Sequence, residues 1–157
     1  MPRPKNQRNE FAEMYVAGVF ADSGWSVYFP RADKGFDFIV TKLVNGVQLV
    51  RPVQVKGKYP EKQSGKVTAY GYRGKLTALH DQMVLAMPFF SSIERREAPM
   101  CIAFIPKNKI QRKQSGAFVC APAKFADGEC SSRPTFQHFF GDVGLKSVEA
   151  SNWGAAN

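Results

Sequence analysis

The dipeptide Asn45-Gly46 lies between two apolar segments and constrains the fold more than any other feature of this sequence. Asn-Gly is the strongest short-range signal for a type I′ hairpin turn, because both residues accept the positive φ angles that this turn requires. Residues 36–44 and 47–58 are rich in Val, Ile, Leu and Phe, as strands are. We therefore expect these two segments to form a β-hairpin with a two-residue turn.

The register of this hairpin predicts a polar cluster near its open end. Residues that face each other lie at equal distances from the turn, so Asp37 is expected to face Gln54. Lys56 follows Gln54 by two residues and should point to the same face. Pro52 could introduce a bulge and shift the pairing by one residue. The expected cluster contains Asp37, Gln54 and Lys56 in otherwise apolar strands.

The rest of the chain predicts a mixture of helices and strands. A helix over residues 10–22 is indicated by Asn9 as its N-cap and by Gly24 at its end. Residues 76–90 carry apolar side chains at helical spacing, although Pro88 should kink or end that helix. Short apolar runs predict further strands over residues 25–29, 66–72, 100–105 and 117–121. The strand over residues 66–72 should extend the hairpin into a meander of three strands.

Length and composition predict one folded domain over residues 1–157, with residues 147–157 expected to fray. The hydrophobic fraction of 44% excludes an intrinsically disordered chain. No apolar run reaches the roughly 18 residues of a spanning helix, and the N-terminus does not resemble a signal peptide. We expect a soluble, cytoplasmic protein with no membrane partner, in which Cys101, Cys120 and Cys130 are reduced thiols.

The net charge of +9 favours a polyanionic partner, and nucleic acid is the first candidate. Residues 51–75 contain seven basic residues and one acidic residue, and residues 107–113 contain four basic residues and no acidic one. Tyrosines that alternate along the predicted third strand could stack on bases. The candidate nucleic-acid contacts are Lys58, Tyr70, Tyr72, Arg73, Lys75, Lys107, Lys109, Arg112 and Lys113. No phosphate-binding loop or dinucleotide fingerprint is present, so no nucleotide cofactor is expected.

Glu13 is a carboxylate on the apolar side of the first predicted helix. Val16, Ala17 and Phe20 follow it at helical spacing, so Glu13 should project from a face that packs inward. A carboxylate in that position requires a partner or a metal ion. Glu10 is one turn earlier and is explained by the helix dipole. The candidate catalytic residues are therefore Glu13, Asp37, Gln54 and Lys56.

The order of these residues resembles the PD-(D/E)XK nuclease superfamily. Its members have an acidic residue on a first helix, then a segment that ends in Gly-hydrophobic-Asp, and then a strand with (D/E/Q)-x-K. The corresponding residues here are Glu13, Gly35-Phe36-Asp37 and Gln54-Val55-Lys56. Gln in place of the usual acid is similar to Mrr-type restriction endonucleases and the intron-encoded PD-(D/E)XK homing endonuclease, and the chain also resembles archaeal Holliday-junction resolvases. The resemblance implies an α/β fold with a restriction-endonuclease-like αβββαβ core and a mixed central sheet flanked by helices.

The resemblance also implies hydrolysis of DNA with Mg²⁺ or Mn²⁺ as the cofactor. Such ions prefer hard oxygen ligands, here Asp37, the Gln54 amide, the Val55 carbonyl and, through water, Glu13. Lys56 would orient or deprotonate the attacking water and stabilise charge on the phosphate. One domain carries one such site, so cleavage of both strands requires a homodimer or a higher homo-oligomer. The substrate stays open between a specific duplex sequence and a branched junction.

Two alternatives belong to other functional classes. The first is a catalytically inactive nuclease-fold protein that binds nucleic acid, with Gln54 as a sign of lost activity. The second is a basic protein-interaction or regulatory module that recognises an acidic protein. The first alternative predicts DNA binding without turnover, and the second predicts indifference to nucleic acid at moderate salt.

Overall fold

A computed structural model describes residues 4–32, 35–60, 68–74, 76, 79–94, 96–126 and 128–155. Its two α-helices are α1 (Lys5–Asp22) and α2 (Gly141–Ser147), and 3-10 helices cover Lys107–Lys109 and Pro134–Phe139. The first five strands are β1 (Ser26–Tyr28), β2 (Phe38–Val44), β3 (Val47–Val55), β4 (Thr68–Gly74) and β5 (Val84–Phe89). The others are β6 (Cys101–Pro106), β7 (Gln111–Arg112), β8 (Phe118–Ala126) and β9 (Glu129–Ser132).

The strands form two sheets, and the fold is of the mixed α/β type. The first sheet has the order β1-β2-β3-β5-β6, in which only β3 and β5 are parallel. In the second sheet, β8 pairs with β4 along one edge and with β7 and β9 along the other. Within the described ranges, no helix is long and apolar enough to cross a membrane.

The predicted hairpin is confirmed. Asn45 and Gly46 have φ angles of 50° and 78°, as a type I′ turn requires. The register runs from Val44↔Val47 to Phe38↔Val53 without the bulge that Pro52 could have introduced. The sequence of the turn therefore fixes the pairing of β2 with β3.

The first helix begins earlier than predicted. It starts at Lys5 after Pro4, so Asn9 lies within the helix and is not its N-cap. Pro4 suits this position because its fixed φ and missing N–H cost nothing at a helix start. Glu10 consequently lies in the second turn. The helix dipole stabilises acidic side chains only in the first turn, so it does not explain Glu10 as the sequence had suggested. At the other end, Gly24 has a φ of 89° and ends the helix as predicted.

The helix predicted over residues 76–90 is wrong, because the described part of this segment contains β5. All six residues of β5 are buried. Val84 and Ala86 pack towards α1, whereas Leu85, Met87 and Phe89 pack towards the second sheet. A strand buried on both faces reads as a continuous apolar run, which periodicity alone cannot distinguish from a buried helix.

The structure contains a three-stranded meander, but its strands are not the ones that the sequence predicted. The segment predicted over residues 66–72 appears as β4, and it pairs with β8 in the second sheet rather than with β3. The meander is instead β1-β2-β3, and β5 then lies parallel to β3. The predicted strands at residues 100–105 and 117–121 correspond to β6 and to the first part of β8.

Two hydrophobic clusters hold the layers together. One lies between the helices and the first sheet and includes Phe20, Phe38, Val53 and Phe104. The other lies between the two sheets and is built on alternate residues of β5 and β6. Burial of both faces of β5 makes this strand the centre of the fold.

Val148 and Trp153 pack into the core, against the expectation that residues 147–157 fray; residues 156 and 157 lie outside the described residues. Val148 and Trp153 are buried, and the Trp153 indole donates a hydrogen bond to the Met83 carbonyl at 2.9 Å. The buried guanidinium of Arg51 donates to the carbonyls of Val148 and Ala150 at 3.1 Å. Arg51 therefore attaches the C-terminal segment to the core, and it does not belong to the basic surface that was counted from the sequence.

Gly144 in α2 should not tolerate a side chain. A Cβ there would lie 2.2 Å from the carbonyl group of Phe139. We expect Gly144→Ala to lower the unfolding free energy by about 2 kcal/mol, because backbone atoms must shift. Gly18→Ala in α1 is the matched control, since its Cβ would meet nothing within 4 Å and Ala favours helix. Urea unfolding that ranks Gly144→Ala as equal to or more stable than the wild type would contradict this packing.

Candidate active site

Glu13 extends from α1 beside the buried stripe of that helix. Ala12, Val16 and Phe20 pack into the core, whereas Glu13 is half-buried at the edge of the stripe. Its carboxylate hydrogen bonds to Asp37 and lies within electrostatic range of Lys56. The helix thus carries Glu13 to the residues that the sequence predicted as its partners.

Asp37 lies immediately before β2 and binds the end of β3 through two hydrogen bonds. Its backbone N–H donates to the Val53 carbonyl at 2.9 Å, and its carboxylate Oδ2 accepts from the Val55 N–H at 2.6 Å. The regular ladder stops at Phe38↔Val53, so Asp37 and Gln54 do not form the facing pair that the register predicted. The Asp37 side chain replaces a backbone acceptor here, which brings the carboxylate to the edge of β3.

Val55 and Lys56 use opposite edges of the same strand. The Val55 N–H points to Asp37, whereas the Lys56 N–H donates to the Ala86 carbonyl of β5 at 2.9 Å. Because the N–H and C=O of one residue point to the same edge of a strand, the Val55 carbonyl is directed to the side of Asp37. β2 starts only at Phe38, so this carbonyl lies beyond the paired part of the hairpin.

The electrostatics of the site centre on Glu13. The pKa of Glu13 is raised from 4.5 to about 7, first by burial and then by the negative charge and hydrogen bond of Asp37, while the positive charge of Lys56 partly opposes the rise. Two carboxylates in contact cannot both ionise freely, so the pair retains a proton near neutral pH. The pair therefore requires either a proton or a cation between its oxygens.

Gln54 is only 3% exposed and lies on the side of the sheet away from α1. It is in parallel register with Leu85, which belongs to the cluster between the two sheets, whereas Val53 and Val55 belong to the cluster under α1. The structure therefore brings Glu13, Asp37 and Lys56 together, and it places Gln54 on β3 between the two backbone contacts of Asp37.

The oxygen donors of the site are few. Among the described residues there is no group of three or more His, Cys, Asp or Glu side chains that could hold a metal ion. The predicted ligand set contains only two carboxylates, those of Glu13 and Asp37. Its other two ligands, the Val55 carbonyl and the Gln54 amide, are neutral. A hard cation with several bound waters suits such a set, because it needs few protein ligands.

The predicted nucleic-acid contacts lie in three places. Lys58 continues β3 beyond the site, where its N–H donates to the Pro88 carbonyl and its own carbonyl accepts from Phe90, each at 2.8 Å. Tyr70, Tyr72 and Arg73 lie in β4, and Lys75 lies outside the described residues. A register shift between Tyr70 and Tyr72 interrupts the regular pairing on which their predicted alternation depended.

The basic segment at residues 107–113 is at the other end of the first sheet. It is a 3-10 helix followed by β7. It follows Pro106, which pairs with Val84 at the start of β5, whereas Lys58 bridges to Phe89 at the end of β5. The structure does not bring it together with the site. Lys107 is bound to Asp81 at 2.8 Å, and Lys109, Arg112 and Lys113 are exposed.

The sequence did not predict a stack of one arginine on two aromatic rings that lies beside the site. The Arg8 guanidinium lies 4.9 Å from the centre of the Tyr59 ring, which is stacked on Phe90 at 4.6 Å. Gly57 lies beneath this stack, where an added Cβ would be 3.1 Å from the Ala12 Cβ. Arg8 and Ala12 are one helical turn apart, so a longer predicted helix would have placed them on one stripe.

The raised pKa of Glu13 predicts a pH dependence of stability. Its proton is bound more tightly in the folded state, so the associated stability is present below pH 4.5 and is lost as the pH rises through about 7. With chelator present, we expect the unfolding free energy of the wild type to fall by about 1 kcal/mol between pH 5 and pH 8 relative to Glu13→Gln, allowing for solvent screening. Glu129→Gln is the control, because Glu129 is exposed, and its pH profile should match that of the wild type. Parallel pH profiles of the wild type and Glu13→Gln in urea unfolding would refute the assignment.

Comparison of the chain with protein-family models and with curated proteins finds no match. A proposal for the function must therefore rest on the geometry of the site.

Proposed function

We propose that the chain is a metal-dependent endonuclease that hydrolyses DNA phosphodiester bonds. The observation that supports this most directly is the convergence of Glu13, Asp37 and Lys56 at the ends of β2 and β3. The meander β1-β2-β3 followed by parallel β5 is the strand arrangement expected around a Gln-x-Lys strand of the PD-(D/E)XK type. On this proposal, the chain belongs to that superfamily, and the residues that the structure describes between β3 and β5 do not include the helix expected between the third and fourth strands of its core.

The donors of the site fit Mg²⁺ or Mn²⁺. Glu13 and Asp37 share a hydrogen bond and retain a proton near neutral pH, so a divalent cation can replace that proton. Asp37 and the Val55 carbonyl would hold the ion at the edge of the sheet. Glu13 would reach it through a bound water from the side of α1, and the Gln54 amide would reach it from the opposite side of the sheet. When bound, such an ion lowers the pKa of water and offsets charge on the scissile phosphate.

The other groups of the site have distinct roles in this proposal. The Lys56 ammonium binds a non-bridging oxygen of the scissile phosphate and orients the attacking water. Glu13 would accept a proton from the attacking water at its carboxylate, because the cation displaces the proton that the carboxylate pair otherwise shares. The hydrogen bond from the Val55 N–H keeps the Asp37 carboxylate in one orientation. Together, these residues supply charge, orientation and a proton acceptor.

Substrate binding would use the basic residues around this end of the sheet. Lys58 follows Lys56 by two residues, and the net charge of +9 attracts the DNA backbone irrespective of sequence. One chain carries one such site, so we propose that a homodimer or higher homo-oligomer cleaves both strands of a duplex.

Lys56→Met should reduce cleavage by about 10²-fold, because the variant keeps the apolar stem but loses the charge beside the phosphate. The measurement is cleavage of supercoiled plasmid, linear duplex, single-stranded DNA and a four-way junction with Mg²⁺, with Mn²⁺ and with chelator. The matched control is Lys124→Met, which removes an exposed lysine of β8 from the second sheet.

The outcomes of this panel separate the candidate functions. Metal-dependent cleavage that Lys56→Met loses and Lys124→Met retains supports the endonuclease. Salt-sensitive DNA binding without cleavage of any substrate would favour an inactive nuclease-fold protein. Equal cleavage by the wild type and Lys56→Met would indicate a contaminating nuclease and would overturn the assignment of Lys56.

A further inference from the structure

Two of the three cysteines lie next to each other across the boundary between the sheets. Cys101 is the first residue of β6 in the first sheet, and Cys130 lies in β9 of the second sheet. They are 29 residues apart in the sequence, yet their sulfur atoms are 3.3 Å apart. Formation of a bond of about 2.0 Å requires only a small movement of the two side chains.

The two thiols are accessible and chemically unequal. Both side chains are partly exposed, whereas Cys120 is only 2% exposed. The Cys101 thiol donates a hydrogen bond to the Cys130 sulfur, which lowers the pKa of Cys130 and raises that of Cys101. Burial raises the pKa of Cys120 to about 12. Thiolate is the reactive form, so Cys130 is the nucleophile of the pair and Cys120 is inert.

We propose that Cys101 and Cys130 form a dithiol–disulfide couple that reacts with small disulfide oxidants and covalently joins the two sheets. The Cys130 thiolate attacks one sulfur of the oxidant, breaks its S–S bond and expels one thiolate. The Cys101 thiol then loses its proton and attacks the Cys130 sulfur of the mixed disulfide, which expels the second thiolate. The two cysteines lose two electrons and two protons, and the oxidant is reduced to two thiols.

The position of the pair relates this chemistry to the candidate active site. Cys101 pairs with Phe89 at the end of β5, and Phe89 bridges to Lys58, which follows Lys56 by two residues. The bond would therefore fix β9 against the end of the first sheet that carries the site. The proposal concerns the thiols alone and does not depend on nuclease activity.

The experiment exposes the fully reduced protein to glutathione disulfide in native buffer, followed by denaturation and alkylation with N-ethylmaleimide. Of the three cysteines in the chain, we expect only Cys120 to be alkylated, with an intact mass about 2 Da below that of the reduced chain before alkylation is counted. Peptide mapping should recover Cys101 linked to Cys130. The reduced protein without oxidant should take one label on every cysteine.

Single substitutions test the order of the two steps. Cys101→Ser should stop at a stable glutathione adduct on Cys130, and Cys130→Ser should form an adduct at least about tenfold more slowly. Cys120→Ala is the matched control and should form the Cys101–Cys130 bond as the wild type does. Complete alkylation after exposure to oxidant, a bond that includes Cys120, or a persistent mixed disulfide in the wild type would overturn the proposal.

Discussion

Asp37→Asn should reduce metal-dependent DNA cleavage by about 10²- to 10³-fold while leaving the protein folded. The substitution removes the negative charge that a hard cation requires at this position. The Asn carbonyl can still accept the hydrogen bond from the Val55 N–H, so the end of β3 keeps its partner. The measurement compares initial cleavage rates with Mg²⁺ for the wild type and the variant at equal concentrations, together with DNA affinity at a fixed salt concentration.

Asp22→Asn provides the matched control for Asp37→Asn. Asp22 is exposed at the end of α1, and its substitution removes the same charge from the same protein. We expect cleavage by Asp22→Asn to equal that of the wild type. An Asp37→Asn variant that retains wild-type cleavage would remove Asp37 from the active site. Loss of both cleavage and secondary structure would instead assign Asp37 a purely structural role.

Trp153→Ala should lower the free energy of unfolding by about 4 kcal/mol, as truncation of a large buried aromatic residue does. Trp153 is only 4% exposed and contacts the Phe139 ring, and its indole binds the Met83 carbonyl at 2.9 Å. The backbone carbonyl of Trp153 also accepts a hydrogen bond from Gln82 at 3.1 Å. Urea unfolding followed by circular dichroism measures the change.

Val143→Ala is the control for Trp153→Ala, because Val143 is 66% exposed on α2. We expect this control to change stability by at most about 0.5 kcal/mol. A comparably small effect of Trp153→Ala would mean that the C-terminal segment is loosely attached in solution, as its sequence suggested. A large effect would establish that this segment is part of the folding unit.

Several elements could be predicted from local sequence. The Asn45-Gly46 turn has two positive φ angles that few other residues accept, so it fixed the register of β2 with β3. Gly24 ended the first helix for the same reason. The helical spacing after Glu13 identified the buried face of α1, and Ala17 and Phe20 lie on it.

Other elements could not be predicted, because their conformation depends on distant partners. β5 is a strand because it lies between β3 and β6 and is covered on both faces, which its run of apolar residues does not reveal. β4 joins β8, about 50 residues further along the chain. Most residues of the C-terminal segment are small and polar. The Trp153 side chain and the backbone carbonyls that accept hydrogen bonds from Arg51 nevertheless attach this segment to the core.

The sequence by itself determined which residues could carry the chemistry of the candidate site: Glu13, Asp37, Gln54 and Lys56. The tertiary structure decided which of them meet, namely Glu13, Asp37 and Lys56. Asp37 leaves the β ladder and caps Val55 with its carboxylate, and α1 places Glu13 against that carboxylate. The same packing brings Cys101 to Cys130. Turns and helix ends are fixed by the φ preferences of a few neighbouring residues, whereas contacts between distant segments arise only when the layers pack and bury their apolar faces.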